Sequence, residues 1–219
     1  MKKLVIFDMD GTMFDTEAIY CRSYIEAFAK HQIDFARAEY ILNYAGQTEE
    51  ANLKATVDKA RNEDLGRTIY LEAEAIREDI YQQEGIQKKL GLMLLLGTLR
   101  ENDIQICVAS SSDLATIQSS LASHQLGSYI DEIVAGDQIT HSKPHPEIFL
   151  EALRRMNIAA ADALVLEDSL SGVEAGYRAE IDTVMIPDLV PATDTEKKRC
   201  LAVVDRLDQV IPLILKARL

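Results

Sequence analysis

The feature that most constrains the fold is a set of five short apolar runs, rich in branched residues, spread along the chain. Such runs are typical of strands that are buried on both faces of a sheet. The predicted strands are residues 4–8, 104–110, 132–135, 163–167 and 183–187. Helical patterns follow most of them, over residues 114–126, 147–156, 171–179 and 207–219. Strands that alternate with helices predict a parallel α/β sheet.

The spacing of the runs also indicates an inserted domain. From the second run onward the strands recur at intervals that fit βαβ units of about 30 residues, whereas residues 9–103 separate the first run from the second. Within this gap apolar residues recur at helical spacing, and a helix over residues 88–101 is predicted to lead back to the second strand. The stripes are Ile25, Phe28 and Ala29, then Leu53, Val57 and Ala60, then Ile69, Ala73, Ile76 and Ile80.

These observations predict two domains. Residues 1–15 and 85–219 are expected to form a Rossmann-like, three-layer α/β core, and residues 16–84 an all-helical cap. Ligands of open α/β sheets bind outside the carboxyl ends of the strands, so the cap is expected to act as a lid over that end.

Polar side chains interrupt the pattern where the predicted strands end. They are Asp8 and Asp10 after the first strand, Ser110, Ser111 and Ser112 after the second, and Glu167 and Asp168 after the fourth. Lys143 precedes the helix at 147–156, where it could face the same cleft. Four carboxylates and one lysine need further positive charge, because like charges a few ångströms apart repel. A hard divalent cation with oxygen ligands, Mg²⁺, is the simplest source, since it commonly joins carboxylates to a substrate phosphate.

Composition excludes several partners. Acidic residues number 36 against 23 Lys and Arg, which gives a net charge of −13 and argues against nucleic acid. Cys21, Cys107 and Cys200 are far apart and lack CxxC spacing, which predicts a reducing, cytoplasmic location without disulfides or a zinc site. No apolar stretch approaches the roughly 20 residues that span a bilayer, so no membrane association is expected. The four histidines are scattered and lack the spacing of a triad or a metal pair.

The motifs at the strand ends resemble those of a known family. They are Asp8-x-Asp10-Gly11-Thr12, Ser110, Lys143-Pro144, and Glu167-Asp168-Ser169 with Gly172 and Gly176. In this combination and order, the whole chain resembles the haloacid dehalogenase-like phosphohydrolases. The helical insert is similar to the cap of the branch that contains β-phosphoglucomutase and many sugar-phosphate phosphatases.

The resemblance implies a role for each matched residue. Asp8 would attack phosphorus and form an aspartyl-phosphate. Asp10 would protonate the departing oxygen and then deprotonate the water that cleaves the intermediate. Ser110 would donate to a phosphoryl oxygen, and Lys143 would offset the charge of Asp8 and of the transferring group. A strand-end turn residue and a solvated lysine are the alternative interpretations of Ser110 and Lys143.

The same resemblance implies the metal ligands. Mg²⁺ would bind a side-chain oxygen of Asp8, the backbone carbonyl of Asp10 and the carboxylate of Asp168, with Glu167 as a direct or indirect ligand. From its position in the sequence, Ser171 could instead cap the helix that is predicted to begin near Gly172.

Substrate choice is expected to lie in the cap, where residues 44–49 resemble the family's loop that reaches the active site. The predicted substrate-binding residues are Tyr20, Gly46, Gln47, Glu49 and Ser111. β-Phosphoglucomutase has an arginine for a second phosphate where this chain has Glu49, and a histidine that assists the acid where it has Tyr20. Glu49 would repel a second phosphate, which argues against a mutase. Tyr20 and Gln47 either hydrogen-bond a hydroxylated leaving group or pack within the cap.

The expected function is Mg²⁺-dependent hydrolysis of a small soluble phosphate monoester, with a sugar phosphate as the first expectation. A phosphosugar mutase of the β-phosphoglucomutase type is the alternative. A lesser alternative is a non-catalytic protein of the same fold that binds a phosphate ligand. The chain is expected to be a monomer or a weak homodimer.

Overall fold

The computed structural model describes residues 1–216. The chain divides into two compact units: Met1–Phe14 together with Lys88–Leu219, called the core unit below, and Asp15–Gln87, called the helical unit. The core unit contains a parallel sheet and the helical unit contains helices, so the α/β class with a helical insert is confirmed. No helix of residues 1–216 combines the length and the apolar character needed to cross a membrane.

The helical unit contains α1 (Glu17–Lys30), α2 (Arg37–Asn43), α3 (Glu49–Ala60) and α4 (Glu63–Glu84). The predicted stripe of α4 is buried: Ile69, Ala73, Ile76 and Ile80. The other two stripes need correction, because Ala29 is exposed and the buried side chains of α3 are Asn52 and Thr56 rather than the half-buried Leu53, Val57 and Ala60.

An aromatic cluster explains why the buried face of α1 differs from the predicted one. Tyr24 of α1 lies with its ring centroid 4.9 Å from that of Tyr44, 6.0 Å from Tyr40 and 6.3 Å from Phe35. Phe28 stacks on Phe35 at 4.5 Å. Aromatic rings bury large areas and pair favourably, so Tyr24 and Phe28 set the orientation of the helix.

In the described part of the core unit, six parallel strands form one sheet in the order β3-β2-β1-β4-β5-β6. Their bounds are β1 Leu4–Phe7, β2 Gln105–Ser110, β3 Glu132–Ala135, β4 Ala163–Glu167, β5 Asp182–Met185 and β6 Ala202–Val203. The register places Ile6 between Cys107 of β2 and Val165 of β4. The five predicted strands are present, and β6 is an additional edge strand.

The helices of the core unit are α5 (Leu92–Glu101), α6 (Leu114–Ser123), α7 (Glu147–Met156), α8 (Leu170–Arg178), α9 (Asp194–Arg199) and α10 (Ile211–Leu215). Leu4 and Ile6 pack with Phe149 of α7 and Ala175 of α8 in one apolar cluster. The strand residues that alternate with them are buried as well, so both faces of the sheet are covered. The order of strands reverses direction at β1, which is where such sheets bind ligands.

Four helix predictions need correction at their ends, and the smallest change is in α8, which spans Leu170–Arg178 rather than residues 171–179. α6 ends at Ser123 rather than at residue 126, because Gln125 adopts φ +57°, which leaves the right-handed helical region. α5 begins at Leu92 rather than at residue 88, because Gly91 turns the chain with φ +89°.

The predicted helix at 207–219 begins as a 3₁₀ turn, Leu207–Val210, and continues as α10. Pro212 lies in the first turn of α10, where its missing N–H is tolerated. Residues 217–219 of this prediction lie outside the described residues.

Candidate active site

The first acidic residue of the site follows the central strand directly. Asp8 comes after β1, is buried, and donates its backbone N–H to the Leu166 carbonyl oxygen at 3.0 Å. Gly11 then turns the chain with φ +78°. A Cβ atom at Gly11 would overlap the Asp168 carboxylate, so the turn needs glycine both for its backbone angle and for this close approach.

Lys143 joins the ends of β1 and β4. Its Nζ lies 2.6 Å from Asp8 Oδ1 and 2.6 Å from Glu167 Oε1, and it donates a longer bond to the Ala109 carbonyl oxygen at 3.3 Å. The side chains of Lys143, Asp8 and Glu167 are 6%, 10% and 0% exposed. A solvated lysine, the alternative interpretation of Lys143, is therefore wrong.

Burial and neighbouring charges shift the pKa values of Asp8 and Lys143. Burial raises the pKa of the Asp8 carboxyl well above its ordinary value, and Glu167 and Asp10 add to the shift, while Lys143 offsets part of it. Burial alone lowers the pKa of the Lys143 ammonium, but Asp8 and Glu167 together raise it above its ordinary value. Lys143 stays charged, and the site holds more carboxylates than this one ammonium can balance.

The three buried carboxylates can serve as metal ligands. One oxygen from each of Asp8, Glu167 and Asp168 lies within 4.8 Å of the others. Thr12 Oγ1 donates to Asp168 Oδ1 at 3.2 Å, and this hydrogen bond helps to fix the orientation of the Asp168 carboxylate. An all-oxygen donor set with excess negative charge fits a hard divalent cation.

Ser169 and the first turn of α8 hold Glu167 in place. Glu167 Oε2 accepts from the Ser169 hydroxyl at 3.0 Å and from the backbone N–H of Asp168 at 3.1 Å. Ser169 Oγ also accepts from the Gly172 N–H at 3.0 Å, so Ser169 is the N-cap of α8 and the prediction that Ser171 caps it is wrong. A Cβ atom at Gly172 would overlap the Glu167 carboxylate.

A chain of hydroxyls leads from β2 to Asp10. Ser110, buried at the end of β2, accepts from the backbone N–H of Ser112 at 3.1 Å, and Ser112 Oγ donates to Asp10 Oδ2 at 3.0 Å. Ser111 is exposed. The sequence pattern indicated Ser112 as a strand-end residue and Ser169 as part of a motif, but no role for either, because a hydroxyl that follows a strand end is also common in turns.

The predicted cap residues lie in the helical unit. Tyr20 is half-buried on α1, with the Arg77 guanidinium 4.2 Å from its ring centroid, while Gly46, Gln47 and Glu49 are exposed around the start of α3. Tyr20 thus has the packing contact that was one of its two expected outcomes. The roles of these residues in substrate binding stay predictions.

Comparison with known proteins identifies the family. The sequence profile of the haloacid dehalogenase-like hydrolases matches residues 5–186. The chain is 28% identical to a phosphorylated carbohydrates phosphatase from Thermotoga maritima over 82% of each chain. It is 30% identical to a probable pseudouridine-5'-phosphatase from Drosophila melanogaster over 88% of this chain and 84% of that one.

A solved structure has the same fold. The crystal structure of a putative β-phosphoglucomutase from Thermotoga maritima matches with a TM-score of 0.79 at 23% identity, over 97% of this chain and 98% of that chain. The resemblance drawn from the motifs is therefore confirmed, and the chain belongs to the haloacid dehalogenase-like hydrolase family.

Proposed function

We propose that the chain is a Mg²⁺-dependent phosphatase that hydrolyses a small soluble phosphate ester, with sugar phosphates as the substrate class. The observation that carries the proposal is the buried Lys143 ammonium, which lies 2.6 Å from both Asp8 and Glu167 at the end of the central strand. Two of the relatives are named a phosphorylated carbohydrates phosphatase and a probable pseudouridine-5'-phosphatase, which supports the reaction class.

In the proposed mechanism Asp8 is the nucleophile. A carboxylate oxygen of Asp8 bonds to phosphorus while the ester P–O bond breaks, and Asp10 gives its proton to the departing oxygen. Asp10 then takes a proton from the water that attacks the aspartyl-phosphate, which releases phosphate and restores Asp8. Ser112 holds Asp10 in position through its hydrogen bond to Oδ2, and Ser110 donates to a phosphoryl oxygen.

Lys143 and a bound metal ion would together offset the charge of the transferring group. Lys143 keeps Asp8 aligned and offsets part of the negative charge that gathers on Asp8 and the phosphoryl oxygens. Asp8, Asp168 and Glu167, with the backbone carbonyl of Asp10, would hold the metal, since their donor set fits a hard cation. When bound, Mg²⁺ supplies the positive charge that the carboxylates and the phosphoryl oxygens require.

Substrate selection is assigned to the cap, residues 16–84, on the resemblance of residues 44–49 to the family's cap loop. Glu49, Gln47, Gly46 and Tyr20 are proposed to contact the part of the substrate beyond its phosphate. Because Glu49 is exposed and acidic, it disfavours a second phosphate, and hydrolysis is preferred to isomerisation.

A panel of phosphate esters tests the function. Each ester is incubated with enzyme and Mg²⁺, and inorganic phosphate and isomerised sugar phosphate are measured separately. We expect phosphate release from sugar phosphates, which Asp8→Asn and chelation of the metal both abolish. Asp34→Asn, at an exposed loop position, should keep the activity of the unmodified chain.

Two results would contradict the proposal. Conversion of β-glucose 1-phosphate to the 6-phosphate without net phosphate release would identify a mutase. Phosphate release that persists in Asp8→Asn would exclude the aspartyl-phosphate.

A further inference from the structure

A second group of metal-ligating side chains lies outside the acid cluster. Within residues 1–216, two sets of side chains offer three donor atoms within 4.8 Å of one another: the buried carboxylates of the active site, and His141, His145 and Glu147. The second set lies in the loop before α7 and the first turn of that helix. The mechanism proposed above uses none of its members.

The distances converge on one carboxylate oxygen. Glu147 Oε2 lies 2.7 Å from His141 Nδ1 and 3.8 Å from His145 Nδ1. The two imidazole centroids are 4.6 Å apart with their planes tilted by 35°. Zn²⁺ bonds of about 2.0–2.2 Å place tetrahedral ligand atoms roughly 3.3 Å apart, which lies between these two distances to Glu147 Oε2. His145 Nδ1 also accepts a hydrogen bond of 3.3 Å from the Glu147 backbone N–H, and an ion bound at this atom would replace that bond.

The backbone orients Glu147 before any ion arrives. Its Oε1 accepts from the Thr140 N–H at 2.8 Å, and its Oε2 accepts from the His141 N–H at 3.0 Å. The carboxylate therefore faces the two histidines without further ordering. The imidazoles are 61% and 49% exposed, so an ion can enter from solvent and keep water in its remaining position.

The donor chemistry selects the class of ion. Two imidazoles and one carboxylate suit Zn²⁺ and its neighbours among the transition metals, whereas Mg²⁺ prefers oxygen ligands. At His141 the incoming ion takes the place of the proton between Nδ1 and Glu147 Oε2, and the neutral imidazole then carries its proton on Nε2.

We propose that His141, His145 and Glu147 form a surface Zn²⁺ site that is separate from the Mg²⁺ site. An ion bound here joins both ends of the segment 141–147, which carries Lys143. The site would therefore brace the loop that holds this lysine against Asp8. Binding does not depend on the phosphatase reaction, so the site can exist even if the proposed function is wrong.

Calorimetric titration with Zn²⁺ tests the site directly. The chain is prepared without a polyhistidine tag, and excess Mg²⁺ is present to occupy the oxygen cluster. We expect one Zn²⁺ per chain, a rise in the unfolding temperature on binding, and affinity at least about tenfold weaker in His141→Ala and His145→Ala. Activity with Mg²⁺ alone should be unchanged in both variants.

His31→Ala is the matched control. His31 also contacts a carboxylate, Glu72, at 2.9 Å, but in the described chain it belongs to no group of three donors. This variant should bind Zn²⁺ as the unmodified chain does. The proposal is overturned if the unmodified chain binds no Zn²⁺, if all three variants have equal affinity, or if only Asp168→Asn weakens binding.

Discussion

In the proposed reaction Glu167 would act through the residue it positions. Its side chain is fully buried, and its two oxygens accept from Lys143, from Ser169 and from the backbone of Asp168. Charge-assisted bonds of this kind are short and directional. Glu167 therefore fixes the position of the Lys143 ammonium, and through it the alignment of Asp8.

The glycine beside this carboxylate leads to the first prediction. In Gly172→Ala the new methyl group overlaps the Glu167 carboxylate, which cannot retreat because its donors surround it. We expect kcat/KM to fall by about 100-fold, the scale of a 1 Å misplacement of a catalytic group. Steady-state kinetics on a preferred ester measures the loss, and the unfolding temperature reports whether the fold survives.

Gly97→Ala is the matched control for this change. Gly97 lies within α5, and a Cβ atom there meets nothing within 4 Å. Alanine is the better helix former, so Gly97→Ala should stabilise the chain by about 0.5–1 kcal/mol and keep full activity. Equal activity in Gly172→Ala and Gly97→Ala would show that the position of Glu167 does not govern the reaction.

The neighbouring serines allow a second prediction. Ser112 donates to Asp10, whereas Ser111 is exposed and is a predicted substrate contact. Ser112→Ala should lower kcat by roughly tenfold, because the proton carrier loses its orientation. Ser111→Ala should instead raise KM, because a predicted contact with the substrate is lost. The same change in both parameters for both variants would contradict these separate roles.

The sequence predicted the charged residues of the site better than its hydroxyls. Asp8 and Glu167 lie at strand ends and Lys143 precedes α7, so their places in the predicted sheet pointed to a shared site although Asp8 and Lys143 are 135 positions apart in the sequence. Ser112 and Ser169 could not be separated from ordinary turn serines, because their bonds depend on the loop geometry. The spacing of the histidines argued against a metal pair, and only the turn between His141 and Glu147 brings these two donors together with His145.

At the scale of elements, the packing of α3 against α4 depends on one glycine. A Cβ atom at Gly66 would overlap the backbone of Val57, which is a close approach of two helices. Backbone atoms cannot rotate away as a side chain can. In Gly66→Ala the two helices must separate, so overpacking outweighs the gain of about 1 kcal/mol in helix propensity.

We therefore expect Gly66→Ala to destabilise the chain by about 1–3 kcal/mol. Urea denaturation, followed by circular dichroism, measures the change. Gly97→Ala again provides the comparison, because the same substitution in an open helix position should have the opposite sign. If both variants gain stability, the inference that α3 and α4 are too close to admit a Cβ atom at Gly66 is wrong.

Element boundaries were less predictable than element types. The strand predicted at residues 163–167 has the same first and last residues as β4, because a continuous apolar run is buried on both faces of the sheet. β6 was missed because two residues, Ala202–Val203, are too few to show a pattern. The start of α5 depends on Gly91, where a Cβ atom would overlap Asp208, a contact between segments far apart in the chain.

At the scale of the whole molecule, net charge affects every stability measurement. The chain carries a charge of −13, so it repels itself, and any salt reduces this repulsion. A divalent cation would stabilise the fold in this general way even without a site. Stabilisation by a bound metal must therefore be measured relative to the stabilisation by a monovalent salt at the same ionic strength.

The final prediction is that Mg²⁺ stabilises the chain beyond this screening effect. An ion that binds the folded state alone adds about 2.7 kcal/mol to the free energy of unfolding when its concentration is 100 times Kd. Thermal unfolding with MgCl₂ and with NaCl at matched ionic strength measures the difference. In Asp168→Asn, which keeps the shape of the side chain but removes a charged ligand of the acid cluster, the excess stabilisation should disappear while the response to NaCl remains. If the excess persists in Asp168→Asn, the ion binds elsewhere, because the proposed cluster has then lost one of its three carboxylates without consequence.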